Sequence, residues 1–257
     1  MMGFMFTTIM MPIIIVVAVL LPIKLSQKRA AVQRLQTASS WAAANRCLYM
    51  PQNPAMVNYF RGRPFTAGMS AGISDFIEGK TPQGRMFCSF LYSYVVSDGK
   101  ASETVYFAAT AIRLSAPLPQ LSVTIKTFAD KVAHFFGGQD IELESDDFNK
   151  TFRVQSDSEA FAYGVLTPQM MAWLLNSTIG LVPFAIYGPD LICWHPGVVD
   201  YLRLGAQLTA MEAFADAIPQ GVYEQFALPP MARYWWTPGF TTRPGVLQYR
   251  LAPVPRR

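Results

Sequence analysis

Five carboxylates fall within eight positions of DIELESDDFNKTF, residues 140–152. That density suits a cation cage, an acid–base pair or the polar side of a fold element. A calcium loop wants glycine at its sixth place and a bidentate glutamate at its twelfth. Counted from Asp140, those places hold Ser145 and Thr151, so the pattern fails. A glycosidase-type carboxylate pair stays open, because two carboxylates are easily found in any chain. In a strand, Asp140, Glu142 and Glu144 point one way and Ile141 and Leu143 the other. Ser145 is then placed to cap a helical turn, with Asp146 and Asp147 at its positive end. Phe148 and Phe152, at i and i+4, can anchor that turn. The reading we favour is structural or partner-facing.

GMSAG, residues 68–72, matches G-x-S-x-G. That motif carries chemistry when its serine sits on a strained strand-to-helix turn, with an acid and a histidine later in the chain. Ser70 with Asp190 and His195 supplies the residue types, but ISDFIEG after it reads as a strand. His134 and His195 are the only histidines. They form no H-E-x-x-H and have no neighbouring cysteine pair, so no metal site and no cofactor is expected. Cys47, Cys88 and Cys193 are widely spaced and odd in number, as in free thiols of a reducing compartment. No phosphate-binding glycine loop is visible.

These residues must be held by the elements around them. RMFCSFLYSYVV and ETVYFAATAIRL, residues 85–96 and 103–114, are aromatic and β-branched and flank the turn Ser97-Asp98-Gly99-Lys100. A first strand around Ile73, Phe76 and Ile77 precedes them across Thr81-Pro82-Gln83-Gly84. Pro117 and Pro119 are expected to break the chain before another strand, LSVTIKT, residues 121–127. Residues 50–65 read as a loop with a helical turn. Short helices are predicted over FADKVAHFF, residues 128–136, over SDSEAFAYGVL with Ser156 and Glu159 as a capping box, and over PQMMAWLLN after Thr167. LVPFAIYG and LICWH, split by Pro189-Asp190, read as a second hairpin. Residues 199–218 form the best helix after the N-terminus, with an irregular tail beyond Pro219. Strands, helices, strands and a helix in that order predict an α+β fold rather than parallel βαβ units.

The chain is 257 residues long, only 15% charged, and its first 23 residues carry no charge. As a helix they reach about 33 Å, close to the ~30 Å hydrocarbon core. No basic residue precedes them, which disfavours a cleaved signal peptide. Lys24, Lys28, Arg29 and Arg34 all follow. The positive-inside rule therefore predicts a single-pass protein of the inner (plasma) membrane, N-terminus outside and main domain cytoplasmic. The expected division is a transmembrane helix over 1–23 and a basic juxtamembrane helix over 24–46. An α+β domain over 47–224 and a Pro-, Trp- and Arg-rich tail over 225–257 follow. Arg233, Trp235, Trp236 and Arg243 in that tail suit a membrane-interface or partner anchor. No nucleic-acid motif accompanies the basic segments.

The order of segments resembles one family in particular. It is carried by GRMFCSFLYSYVV, PLPQLSV, GGQDIELESDDFNKTFRV, FAYGVLTPQMMAWLL and LICWHPG behind an N-terminal span. The resemblance is to the actinobacterial single-span, membrane-anchored family of the trehalose monomycolate transport factor, which has no assigned enzymatic activity. It implies a non-enzymatic accessory subunit of a mycolate-type lipid export complex, bound to a polytopic MmpL-type transporter and to inner-membrane lipids. Lys24, Lys28, Arg29, Arg34, Arg233, Trp235, Trp236 and Arg243 are the expected contacts. Two other readings remain: a membrane-anchored serine hydrolase using Ser70 and His195, and a lipid-binding module holding an acyl chain in the meander.

Overall fold

The computed structural model describes residues 29–229 except 61–63, 66, 67, 100, 127–138 and 178. The expected span over 1–23, the helix over 128–136 and the tail from 230 onward lie outside them. Among the described residues no helix is long and apolar enough to cross a membrane.

Seven antiparallel strands form one sheet. They are β1 (Leu48–Gln52), β2 (Met69–Lys80), β3 (Met86–Ser97), β4 (Ser102–Ile125), β5 (Gln139–Ile141), β6 (Phe152–Ser156) and β7 (Phe184–Pro196). The order is β1-β2-β3-β4-β6-β5, with β7 also paired to β4. The described helices are α1 (residues 29–44), α2 (Asp146–Thr151), α3 (Glu159–Val165), α4 (Pro168–Asn176), α5 (Tyr201–Ala217) and α6 (Gln220–Phe226). This is a mixed fold of helices on an antiparallel meander, in line with the α+β expectation.

The meander from β2 to β4 follows from its residues. Alternation on β3 sends Phe90, Tyr92 and Tyr94 to one face and Phe87 to the other, and both faces are buried. The helices cover the Phe87 face, packing Ala38, Phe148, Phe161, Leu174, Leu204 and Phe214 over Ile112, Leu121 and Ile186. Met56, Phe60 and Phe65 cover the other face. There Phe60 stacks on Phe90, with centroids 5.8 Å apart, and Phe65 meets Trp194 edge-on.

Two expected breaks are absent. β4 runs through Pro117 and Pro119 as one strand. β7 follows one edge of it, while β3 pairs with the other edge as far as Ile112 and β6 from Leu121 onward. The prolines therefore fall between two partners, where a missing N–H breaks no ladder bond. The Leu228 amide donates to the Pro117 carbonyl across that gap (2.8 Å). β7 is likewise continuous rather than a hairpin. Its Gly188-Pro189-Asp190 lies opposite a bulge between Arg113 and Leu118, and register on β4 keeps both halves in line. The loop expected over 50–65 gives its first residues to β1, and the expected irregular tail begins with α6, which has Pro219 at its N-cap. Ser158, not Ser156, caps α3 by accepting from the Phe161 amide. Ser156 instead sits in β6 and donates to the Gln120 carbonyl.

α5 is capped by Asp200 and carries Leu204, Leu208, Met211 and Ala215 inward. Its far end is tied to the turn after β2 by Thr81 to Glu212 and by Arg85 to Asp216. α1 and α5 thus both begin at the sheet end where β2 and β4 start and β7 finishes.

Candidate functional site

α1 docks through Arg34, Ala38, Trp41 and Ala42, a stripe spaced i, i+4, i+7, i+8 on one helical face. Ala38 and Ala42 are fully buried. Trp41 packs edge-on against Phe87 and lies 6.0 Å from the Tyr201 ring. One turn nearer the N-terminus, Arg34 Nε lies 2.7 Å from Asp75 Oδ2. The Tyr49 hydroxyl donates to Asp75 Oδ1 (3.0 Å). Asp75 sits at a bulge in β2 with φ of +50°, a left-handed conformation that aspartate tolerates better than most residues. Burial and then the Asp75 charge push the Tyr49 phenol well above its ordinary pKa, so it stays a donor. Tyr201 is raised for the same two causes. Arg34 is thus engaged with Asp75, because a nearly buried carboxylate needs a cation within reach, and about a third of its side chain stays exposed toward the groove.

Beside this cluster lies a half-open groove of about 940 Å³. Its walls include Ala30, Ala31 and Arg34 of α1, Glu103, Thr104 and Tyr106 of β4, Val198 and Val199 ahead of α5, and Tyr201 at the start of α5. The Gly197 amide donates to the Tyr106 carbonyl (2.9 Å) and fixes the loop that closes one side. Nothing in the spacing of these residues marks them. The one available signal is Asp75, an acid inside the apolar run ISDFI.

The acidic motif stands apart from the groove, at the β5 edge. Ile141 and Leu143 are buried, while Asp140, Glu142 and Glu144 are exposed. The Ser145 hydroxyl accepts from the Phe148 amide (3.3 Å) and Asp146 and Asp147 occupy the first turn of α2. Phe148 and Phe152 are buried with ring centroids 4.7 Å apart. Asp140 accepts from Arg153 Nε (3.0 Å), Arg153 Nη2 (2.7 Å) and Gln155 Nε2 (2.9 Å). Among the described residues no group of three or more His, Cys, Asp or Glu could hold a metal ion.

Ser70, Asp190 and His195 are not brought together. Ser70 lies on β2 and His195 on β7, with β3 and β4 between them. Three interstrand steps amount to about 14 Å of sheet. Asp190, fully buried, accepts from the Tyr59 hydroxyl (2.8 Å). The G-x-S-x-G match fails because Ser70 continues a strand instead of opening a helix. The three cysteines are free. Burial pushes the Cys47 thiol up to about 11 and Cys193 to about 12, and Cys88 is also raised. None is an activated thiolate. Arg29 is exposed at the start of α1. Lys24, Lys28, Arg233, Trp235, Trp236 and Arg243 lie outside the described residues.

Glu78 on β2 gives a pH signature. Burial lifts its carboxyl from 4.5 to about 7, and one carboxyl oxygen has no hydrogen-bond partner among the described residues. Between those two values the folded chain keeps a proton that the unfolded chain has lost. Stability from this group is therefore full below about 4.5 and declines as pH rises to about 7. Glu78→Gln should remove that slope and stabilise the protein at pH 8 by about 1–2 kcal/mol. Thermal unfolding of both forms between pH 4.5 and 8 checks it, and parallel curves would refute it.

The fold resembles that of mycobacterial trehalose monomycolate transport factor A, TtfA. Its crystal structure aligns with a TM-score of 0.53, covering 79% of this chain and 99% of that chain, at 10% sequence identity. At such identity the likeness is one of fold. No family model matches the sequence, and no curated protein matches it.

Proposed function

We propose that this chain is a non-enzymatic, membrane-anchored accessory subunit in the export of mycolate-type envelope lipids. The observation that carries the reading is the fold shared with TtfA over nearly all of that transport factor. The uncharged residues 1–23 supply a span of suitable length, and the basic residues after it favour a cytoplasmic body. Its partner is a polytopic, MmpL-type lipid transporter. Sharing one membrane raises the effective concentration of both, so modest contacts suffice. Those contacts are the span, the basic residues Lys24, Lys28 and Arg29, and the Trp–Arg tail. The separation of Ser70 from His195 leaves the hydrolase reading without geometric support.

Purification of the tagged full chain in mild detergent should recover a polytopic lipid transporter. Recovery of the chain by itself, with residues 225–257 intact, would overturn the reading.

A further inference from the structure

The groove end of the domain carries apolar side chains that no core explains. Leu202, in the first turn of α5, is 97% exposed; Met69, opening β2, is 62% exposed and Val198 is 51% exposed. Val96 and Tyr106 are also exposed. Met69 pairs with Val95, Val95 with Thr104, and the Tyr106 carbonyl holds Gly197, so these residues belong to one continuous end of the fold. Scattered exposed apolar residues are ordinary, but several gathered at one end of a fold, with Val198 and Tyr106 lining the groove there, make an apolar rim that marks a contact surface.

What covers that rim follows from where the chain enters it. α1 begins at the same end, with Ala30 and Ala31 in the groove wall. Only residues 24–28 separate the uncharged segment 1–23 from Arg29. Five residues span at most about 18 Å, and about 7.5 Å as a helix. With residues 1–23 in the bilayer, the groove end must lie within that distance of the head groups.

We propose that this end is the membrane-docking surface of the domain, with Leu202, Val198 and Met69 reaching phospholipid at the bilayer interface and the groove opening onto it. This rests on the membrane anchoring proposed above. The domain is then held in one orientation, its Thr81–Arg85 turn pointing away from the lipid and its groove against it. An interfacial surface of this kind draws on apolar burial rather than on charge alone.

The test uses the full chain in vesicles of phosphatidylethanolamine and phosphatidylglycerol, on a Cys47→Ser background, since Cys88 and Cys193 are buried. An environment-sensitive fluorophore is placed at Leu202→Cys or, at the far end of β2, at Gln83→Cys. Blue-shifted emission at 202 that doxyl lipids quench, with neither effect at 83, is the expected result. Vesicle flotation and resistance to carbonate extraction are read on the same samples. Protein that floats and resists extraction but shows no quenching at 202, or equal quenching at both sites, overturns the docking surface and leaves the anchor standing. A blue shift at 202 without quenching means that protein covers the site and also overturns it. Failure to float removes the anchor and the docking surface together.

Discussion

Asp75→Ala is expected to destabilise the protein by about 2–4 kcal/mol and to loosen α1 before the rest of the fold. The carboxylate is nearly buried and holds two groups at once, the Arg34 guanidinium at 2.7 Å and the Tyr49 hydroxyl at 3.0 Å. Alanine leaves the phenol without its acceptor and the cation without its partner, and it fits poorly at φ of +50°. Because Arg34 is about a third exposed, water recovers part of the loss, which keeps the estimate below that for a fully buried pair. Asp75→Asn keeps an acceptor and tolerates the backbone, so about 1–2 kcal/mol is expected from it. Hydrogen exchange should rise first at residues 34–44, ahead of α5. A double-mutant cycle with Arg34→Met should give non-additive energies. Strict additivity, or unchanged exchange in α1, would show that the cluster does not hold the helix. The consequence for function is mechanical: α1 is the segment through which the N-terminus is joined to the sheet.

That cluster was hidden in the sequence for a physical reason. α1 docks on two alanines beside Trp41, and Ala38 and Ala42 give no hydropathy peak. The larger aliphatic residues, Val32 and Leu35, are exposed. Arg34 reads as one more cation in a basic collar until the fold brings Asp75 beneath it. The central meander was legible because its alternation and the Asp98-Gly99 turn state the same register. The caps on α4 and α5, Thr167 and Asp200, sit directly before their helices. Where local and tertiary signals conflicted, tertiary pairing prevailed. Gly188-Pro189-Asp190 has turn composition, yet both halves of β7 find partners on β4. Pro117 and Pro119 are strand breakers placed where the strand changes partner. Ser70 sits in a nucleophile pattern whose meaning depends on a helix that does not follow it. The groove, assembled from three separate segments, left no local trace at all.

The second large effect lies in the acidic motif, and it separates its apolar from its charged residues. Phe148→Ala should cost about 3–5 kcal/mol. Its ring is fully buried between α2 and the sheet, in contact with Phe152 and the core formed with Phe161 and Leu174. The neighbouring chain is too constrained to collapse into the space. The Asn149 side chain bonds both the amide and the carbonyl of Leu143, and Ser145 caps the helix. Glu142→Gln with Glu144→Gln should change stability by no more than about 0.5 kcal/mol, since both side chains face solvent. Denaturant unfolding of the full chain measures both. If the glutamine pair were as damaging as the phenylalanine deletion, the carboxylates would be doing structural work inside the chain. If it left stability intact but abolished recovery of the transporter, those same carboxylates would be the contact surface, and the motif would serve the partner with one face while Phe148 serves the core with the other.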